Sequence, residues 1–242
     1  NLLSQPLHET EQKNEDAINV AVIVDDSDSE RMSKDELHSR LTKVVSDISS
    51  DVDDRLAPET YLVSDVWQLC YDGNYDTVEE LINSATVYDT GLMDALEVSN
   101  VHKDMVLERF EKYIVTYVLA GSVVQGKATP ESDIDVFVVI DDTDVKQMSR
   151  AELKDKLRAI ITGMSSDAAQ AVGVKNKLNI QVYILTDFWE NVKQANPVIF
   201  TFLRDGVPLY DRGIFMAWKQ LLEMGRIKPS PEAIEMFMNT GE

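Results

Sequence analysis

Residues Leu119–Val136 read LAGSVVQGKATPESDIDV, and two features in this stretch could carry chemistry. Gly121 and Ser122 follow an apolar run and are expected to open a helix. Free N–H groups at a helix start, with a glycine that lets a ligand close in, make an anion site. The Ser122 hydroxyl adds one more donor. Further along, Asp133 and Asp135 stand at i and i+2 where a second apolar strand begins. The strand period of two puts both carboxylates on one face. Two carboxylates so close repel each other unless a cation lies between them. Hard oxygen ligands suit Mg²⁺ or Mn²⁺, with substrate phosphates completing the shell.

Three readings compete for this stretch. Gly121 to Gly126-Lys127 fits the P-loop pattern G-x-x-x-x-G-K. However, Ala128 stands where a Ser or Thr should bind Mg²⁺, and Pro130 follows where a long helix should run. A glycine turn followed by an acidic strand end is the chemically inert reading. The third is a nucleotide-phosphate and metal site. The combined spacing of Gly-Ser and Asp-x-Asp between two apolar strands favours it.

Gly121-Ser122, Gly126 and Ser132-Asp133-Ile134-Asp135 resemble the signature of the DNA polymerase β-like nucleotidyltransferases, G-S-x-x-x-G-x(n)-S-D-x-D. The resemblance covers residues 113–140 closely and 149–185 loosely. It implies a mixed sheet flanked by helices, with Gly121 and Ser122 on a nucleoside triphosphate and Asp133 and Asp135 on Mg²⁺ as the catalytic acids. The implied reaction transfers a nucleoside monophosphate to an acceptor and releases pyrophosphate. A third carboxylate belongs on a later strand, here LNIQVYIL, where Asn179 or Gln181 occupies the place. An amide is neither a general base nor a strong Mg²⁺ ligand. Asp187 lies just beyond and reads as a helix cap rather than the missing acid. Catalysis is therefore expected to be weak, to use a substituted ligand, or to be absent.

The elements that must position these residues occur twice. Ile18–Leu37 aligns without a gap on Ile134–Leu153, and Tyr61, Asp65, Trp67, Leu81, Tyr88, Asp89 and Gly91 recur as Tyr183, Asp187, Trp189, Leu203, Tyr210, Asp211 and Gly213. A recurring order of Trp, Tyr, Asp and Gly marks an internal repeat. Each copy predicts a strand (19–24; 135–140), an acidic turn, and a helix capped by Ser33 or Ser149 with Glu36 or Glu152 three residues on. A second strand follows (60–63; 178–185), then a helix around Trp67 or Trp189 and a final Tyr-Asp turn. Residues 92–112 read as a helix, 113–120 as an apolar strand, and the tail beyond Gly213 as helix broken near Pro229 and Pro231. The expected fold is α/β (α+β): two tandem nucleotidyltransferase-like modules, each a small mixed sheet flanked by helices. The boundaries are 1–92 for a degenerate module, 93–112 for a linking helix, 113–213 for the module with the site, and 214–242 for a helical tail. In the first copy, Gln5 and Pro6 replace Gly121 and Ser122, Ala17 and Asn19 replace Asp133 and Asp135, and Glu59 matches Gln181. That copy is expected to be catalytically dead and to serve as scaffold, regulator or acceptor-binding module.

Composition narrows the partners. The net charge is −20, which repels a long phosphate backbone, so duplex nucleic acid is not expected as the main ligand. A Mg²⁺-bound nucleoside triphosphate with a small-molecule or protein acceptor is expected instead, and a homodimer is a further candidate assembly. The rival is a non-catalytic nucleotide-binding, regulatory or scaffold protein of the same fold. Cys70 is the single cysteine, which suits a reducing, cytoplasmic setting. The three histidines, His8, His38 and His102, show no ligand spacing and read as surface residues. No apolar run is long enough for a membrane helix, and nothing at the N-terminus reads as a signal peptide. The first residue is Asn rather than Met, as expected of a processed or excised chain.

Overall fold

Serine caps and β-rich runs set the start of each half of the chain. The computed structural model describes residues 17–29, 32–127, 129, 132–143, 149–228, 231, 234, 235 and 238. Gln5, Pro6, His8, Ala128, Pro130, Met148 and Pro229 lie outside the described residues. By its internal contacts the chain divides into two compact units, 1–65 and 66–242.

In the first unit, β1 (Ile18–Val24) leads to α1 (Lys34–Val52) and then β2 (Leu56–Leu62). Ser33 caps α1, its Oγ accepting the Glu36 N–H at 3.3 Å, as the capping pattern predicts. The strands pair parallel, from Ile18 opposite Leu56 to Val24 opposite Leu62, as a two-stranded sheet. β2 starts earlier than the expected 60, because it takes in Pro58. An edge strand tolerates proline where the missing N–H would point outward. The Ser64 N–H donates to Asp26 Oδ1 at 3.0 Å, tying the turn after β1 to the start of the helix that follows β2. The division between the units falls within α2 (Val63–Tyr71).

The second unit continues with α3 (Tyr75–Ile82), α4 (Leu92–Phe110), β3 (Ile114–Ala120), β4 (Ile134–Ile140), α5 (Arg150–Val172) and β5 (Leu178–Ile184). It closes with α6 (Leu185–Lys193), α7 (Pro197–Asp205), β6 (Val207–Asp211) and α8 (Phe215–Glu223). A four-stranded mixed sheet runs in the order β5-β4-β3-β6, parallel between β4 and β5 and antiparallel elsewhere. Every residue of β3 is buried, as a central strand with covered faces requires. On one face Phe137 stacks on Phe202 at 4.6 Å and Phe188 on Trp218 at 4.7 Å, within a cluster supplied by α6, α7 and α8. Truncating a fully buried ring such as Phe137 to Ala costs about 3–5 kcal/mol. α5 presents buried Leu153, Leu157, Ile161 and Ala168 and packs against α4 and β5.

Several structural details recur between the two segments aligned in the sequence. Both run strand, helix, parallel strand, helix. Ser149 caps α5 as Ser33 caps α1. The Thr186 N–H donates to Asp142 Oδ1 at 3.1 Å, as Ser64 does to Asp26. Asp89 accepts the Met93 and Asp94 N–H groups, and Asp211 accepts those of Phe215 and Met216 at equivalent positions. The sheets differ, since residues 85–89, aligned with β6, form no strand.

Three expectations need correction. His102 is fully buried, not a surface residue. Its Nε2–H donates to the Ile161 carbonyl at 2.9 Å, so Nδ1 accepts from the Tyr117 hydroxyl at 2.9 Å. Among the described residues Asp187 accepts no helix-start N–H and pairs with Lys154 at 3.3 Å, whereas Asp65 both pairs with Lys34 and accepts the Leu62 N–H at 2.9 Å, so the capping role holds for Asp65 alone. The segment after β3 is a run of turns over 121–126, not a helix. No helix among the described residues is long and apolar enough to cross a membrane.

Burial holds the His102 pKa below the ordinary histidine value, although the hydrogen bond to Ile161 opposes the shift. The unfolded chain therefore takes up a proton first as pH falls. His102 contributes stability that is full above ~6.5 and is lost as pH drops below that toward the folded value. Denaturant titrations at pH 7.5, 6.5 and 5.5 should show a steeper loss for the native protein than for His102→Gln, whose amide does not titrate.

Candidate functional site

The register of three strands puts the candidate residues side by side. Asp135, the second residue of β4, lies opposite Ala120 on β3 and Asn179 on β5. Strand alternation places Asp135 on the face of Phe137 and Val139. The aromatic cluster buries Phe137 fully, but Asp135 is only half-buried. The apolar face thus ends in a partly open carboxylate.

Gly121 follows β3 directly, with φ +72°. A Cβ built there would stand 2.2 Å from Asp135 Oδ2 and 3.1 Å from its carboxyl carbon. Only glycine lets this carboxylate lie against the backbone, and the left-handed φ independently disfavours other residues. The turn after Gly121 closes when the Lys127 N–H donates to the Ser122 carbonyl at 2.9 Å. Ser122 is therefore held in the same turn beside Gly121, though not at a helix start.

Asp133 is exposed and lies one residue outside the β4 ladder, which begins when the Ile134 N–H donates to the Lys177 carbonyl at 2.8 Å. On β5, Asn179, Gln181 and Tyr183 share one face. Asn179 Nδ2 donates to Asp135 Oδ1 at 2.9 Å, whereas the Gln181 carbonyl oxygen accepts from the Tyr183 hydroxyl at 3.0 Å. Of the two amides, Asn179 is the one that reaches Asp135. Glu59 lies on β2 in register with Ala21 and belongs to the first unit.

Sequence reasoning missed Asn176, which is 4% exposed. Its Nδ2 donates to the Ser132 carbonyl at 3.0 Å and more weakly to that of Thr129 at 3.4 Å. A lone Asn between helix and strand carries no sequence signal that separates it from an ordinary turn residue.

The donor set suits a hard cation in part. Asp135 lays Oδ2 against the Gly121 backbone while Oδ1 takes the Asn179 amide, and Asp133 is exposed two residues before it. No group of three or more His, Cys, Asp or Glu side chains that could hold a metal occurs among the described residues. A cation here would need phosphate oxygens to complete its shell.

Residues 100–194 match the family model described as the nucleotidyltransferase domain. Over these residues the chain is thus similar to the nucleotidyltransferase domain, in line with the resemblance drawn from Gly121-Ser122 and Asp133-Ile134-Asp135. The match takes in β3, β4, α5 and β5, and with them Gly121, Asp133, Asp135 and Asn179. A solved structure described as a toxin–antitoxin with AMP-PNP is 18% identical, covers 53% of this chain and 86% of its own, and has a TM-score of 0.30. Comparison with curated proteins finds no match.

The contact between Gly121 and Asp135 can be tested by itself. Gly121→Ala should cost about 1–2 kcal/mol for the left-handed backbone alone, and more for the collision with Asp135. Adding Asp135→Ala should recover the collision part. Chemical denaturation of the single and double variants should show a coupling well above additivity error; additive losses would deny the contact.

Proposed function

We propose that the nucleotidyltransferase domain binds a Mg²⁺–nucleoside triphosphate (Mn²⁺ substituting) and transfers its nucleoside monophosphate to a small-molecule or protein acceptor. What carries the reading is the row Gly121, Asp135, Asn179, a backbone-lined carboxylate at the end of an otherwise apolar strand. The N–H groups of Gly121 and Ser122 line the triphosphate, and Asp133 and Asp135 hold the cation against it. When bound, the cation neutralises developing phosphate charge and lowers the acceptor's pKa. The acceptor's hydroxyl oxygen gives up its proton to water and bonds to the α-phosphorus, while the bond from that phosphorus to the bridging oxygen breaks and pyrophosphate leaves. In the same reading residues 113–213 are the working module and 93–112 a linking helix, with a helical tail at 214–242. Residues 1–92 are a degenerate first copy that keeps the capping and turn bonds of the second and has lost the acids. A reducing, cytoplasmic setting belongs to this proposal and fits the lone buried Cys70.

Incubation with each labelled nucleoside triphosphate and Mg²⁺ or Mn²⁺ should release pyrophosphate. Asp133→Ala and Asp135→Ala should each weaken metal-dependent nucleotide binding, because each removes a hard anionic ligand. Asn19→Ala, at the position aligned with Asp135 in the first copy, should leave binding unchanged. Undiminished affinity in both Asp variants would overturn the site.

A second reading, a slow or inactive nucleotide-binding regulator, is favoured by one observation: an amide, Asn179, contacts Asp135 where an acid is expected. Asn179→Asp should then raise kcat by about tenfold or more with little change in nucleotide KM, since acceptor activation acts in the transition state. Gln181→Asp, one residue pair further along the sheet, should do much less. Equal kcat for native protein and Asn179→Asp would show that no third acid is missing.

A further inference from the structure

We propose that Asn176 is a positioning residue for the cation site: its buried amide holds the carbonyl of Ser132, the residue before Asp133. The inference rests on the nucleotidyltransfer reading above. α5 ends at Gly173, whose left-handed φ of +83° turns the chain toward β5, and Asn176 sits in this return. Its Nδ2 donates to the Ser132 carbonyl at 3.0 Å and to the Thr129 carbonyl at 3.4 Å. The Thr129 N–H in turn donates to Ser132 Oγ at 3.0 Å. Asp133 is the next residue and is itself exposed, outside the strand ladder. Nothing in β4 holds Asp133 directly; its backbone is set by the Ser132 carbonyl on one side and by the Ile134–Lys177 bond on the other.

The first unit separates this role from simple strand pairing. There the Ile18 N–H donates to the Arg55 carbonyl at 2.8 Å, the counterpart of the Ile134–Lys177 bond, so β1 and β2 keep their register. The residue aligned with Asn176 is Asp54, which is exposed and carries no donor when ionised. The position aligned with Asp133 is Ala17. The backbone bond is kept where only the fold needs it. The amide clamp is present where there is an acid to aim.

The test uses the full chain with Asn176→Ala, the near-isosteric Asn176→Asp, Asp133→Ala, and the double Asn176→Ala/Asp133→Ala. The probe is Mn²⁺ with whichever of the four common nucleoside triphosphates binds tightest. Affinity is read by Mn²⁺ paramagnetic resonance well below the melting temperature, and melting is recorded alongside. Both Asn176 variants should weaken Mn²⁺–nucleotide binding by about 10–100-fold, the usual effect of removing a partner that orients a ligand. In the Asp133→Ala background, Asn176→Ala should weaken it no further while still lowering the melting temperature as in the native background. Native-like affinity in Asn176→Ala beside a weakened Asp133→Ala overturns the inference alone, as does an affinity loss additive with Asp133→Ala. Native-like affinity in Asp133→Ala overturns the site assignment and this inference with it.

Discussion

The register of β3, β4 and β5 is the constraint on which the site depends. Ala120, Asp135 and Asn179 stand in one row because the backbone ladders pair them, and Gly121 follows because β3 ends there. A slip of one residue would send Asp135 to the opposite face and turn Phe137 away from its aromatic cluster. The same stacking that buries Phe137 among Phe188, Phe202 and Phe215 therefore fixes where the carboxylate emerges. Core packing and site geometry are here one specification, imposed on alternate residues of a single strand.

The candidate residues stand out in the sequence because their signals are local. Gly-Ser and Asp-x-Asp declare themselves by type and spacing, and Ser33 and Ser149 by the Glu three residues on. What sequence could not supply were partners distant along the chain. His102 looks like any polar residue on a helix, and its burial depends on Tyr117 and on a carbonyl of α5. Asp187 reads as a cap until Lys154 of α5 is seen beside it. The choice between Asn179 and Gln181 turned on which faces Asp135 across the ladder, and that is a matter of register. Gly-Ser after a strand fits a helix start and a turn equally well. The left-handed φ of Gly121 and the closing bond from Lys127 to Ser122 decide it.

Side by side, the two aligned segments sort their shared residues by purpose. Asp26 and Asp142 each hold the N–H that begins the helix after the second strand, and Asp89 and Asp211 each cap a following helix. These carboxylates satisfy backbone donors that would otherwise be stranded at helix starts, and no ligand is needed to explain them. Acidic residues at strand ends are thus mostly architectural in this chain. Asp135 is separated from them by accepting, among the described residues, a side-chain amide rather than a backbone N–H and by lying against a glycine.

Cys70 gives the fold an experimental consequence. The chain has one cysteine, it is wholly buried in α2, and burial pushes its thiol up to about 12 despite the opposing influence of Lys103. A thiol so shielded is a poor nucleophile at neutral pH. A cysteine introduced on the surface can then take a spin label or fluorophore as the sole reactive position, with no background substitution to remove. The native thiol meanwhile serves as a built-in reporter that reacts only when α2 opens.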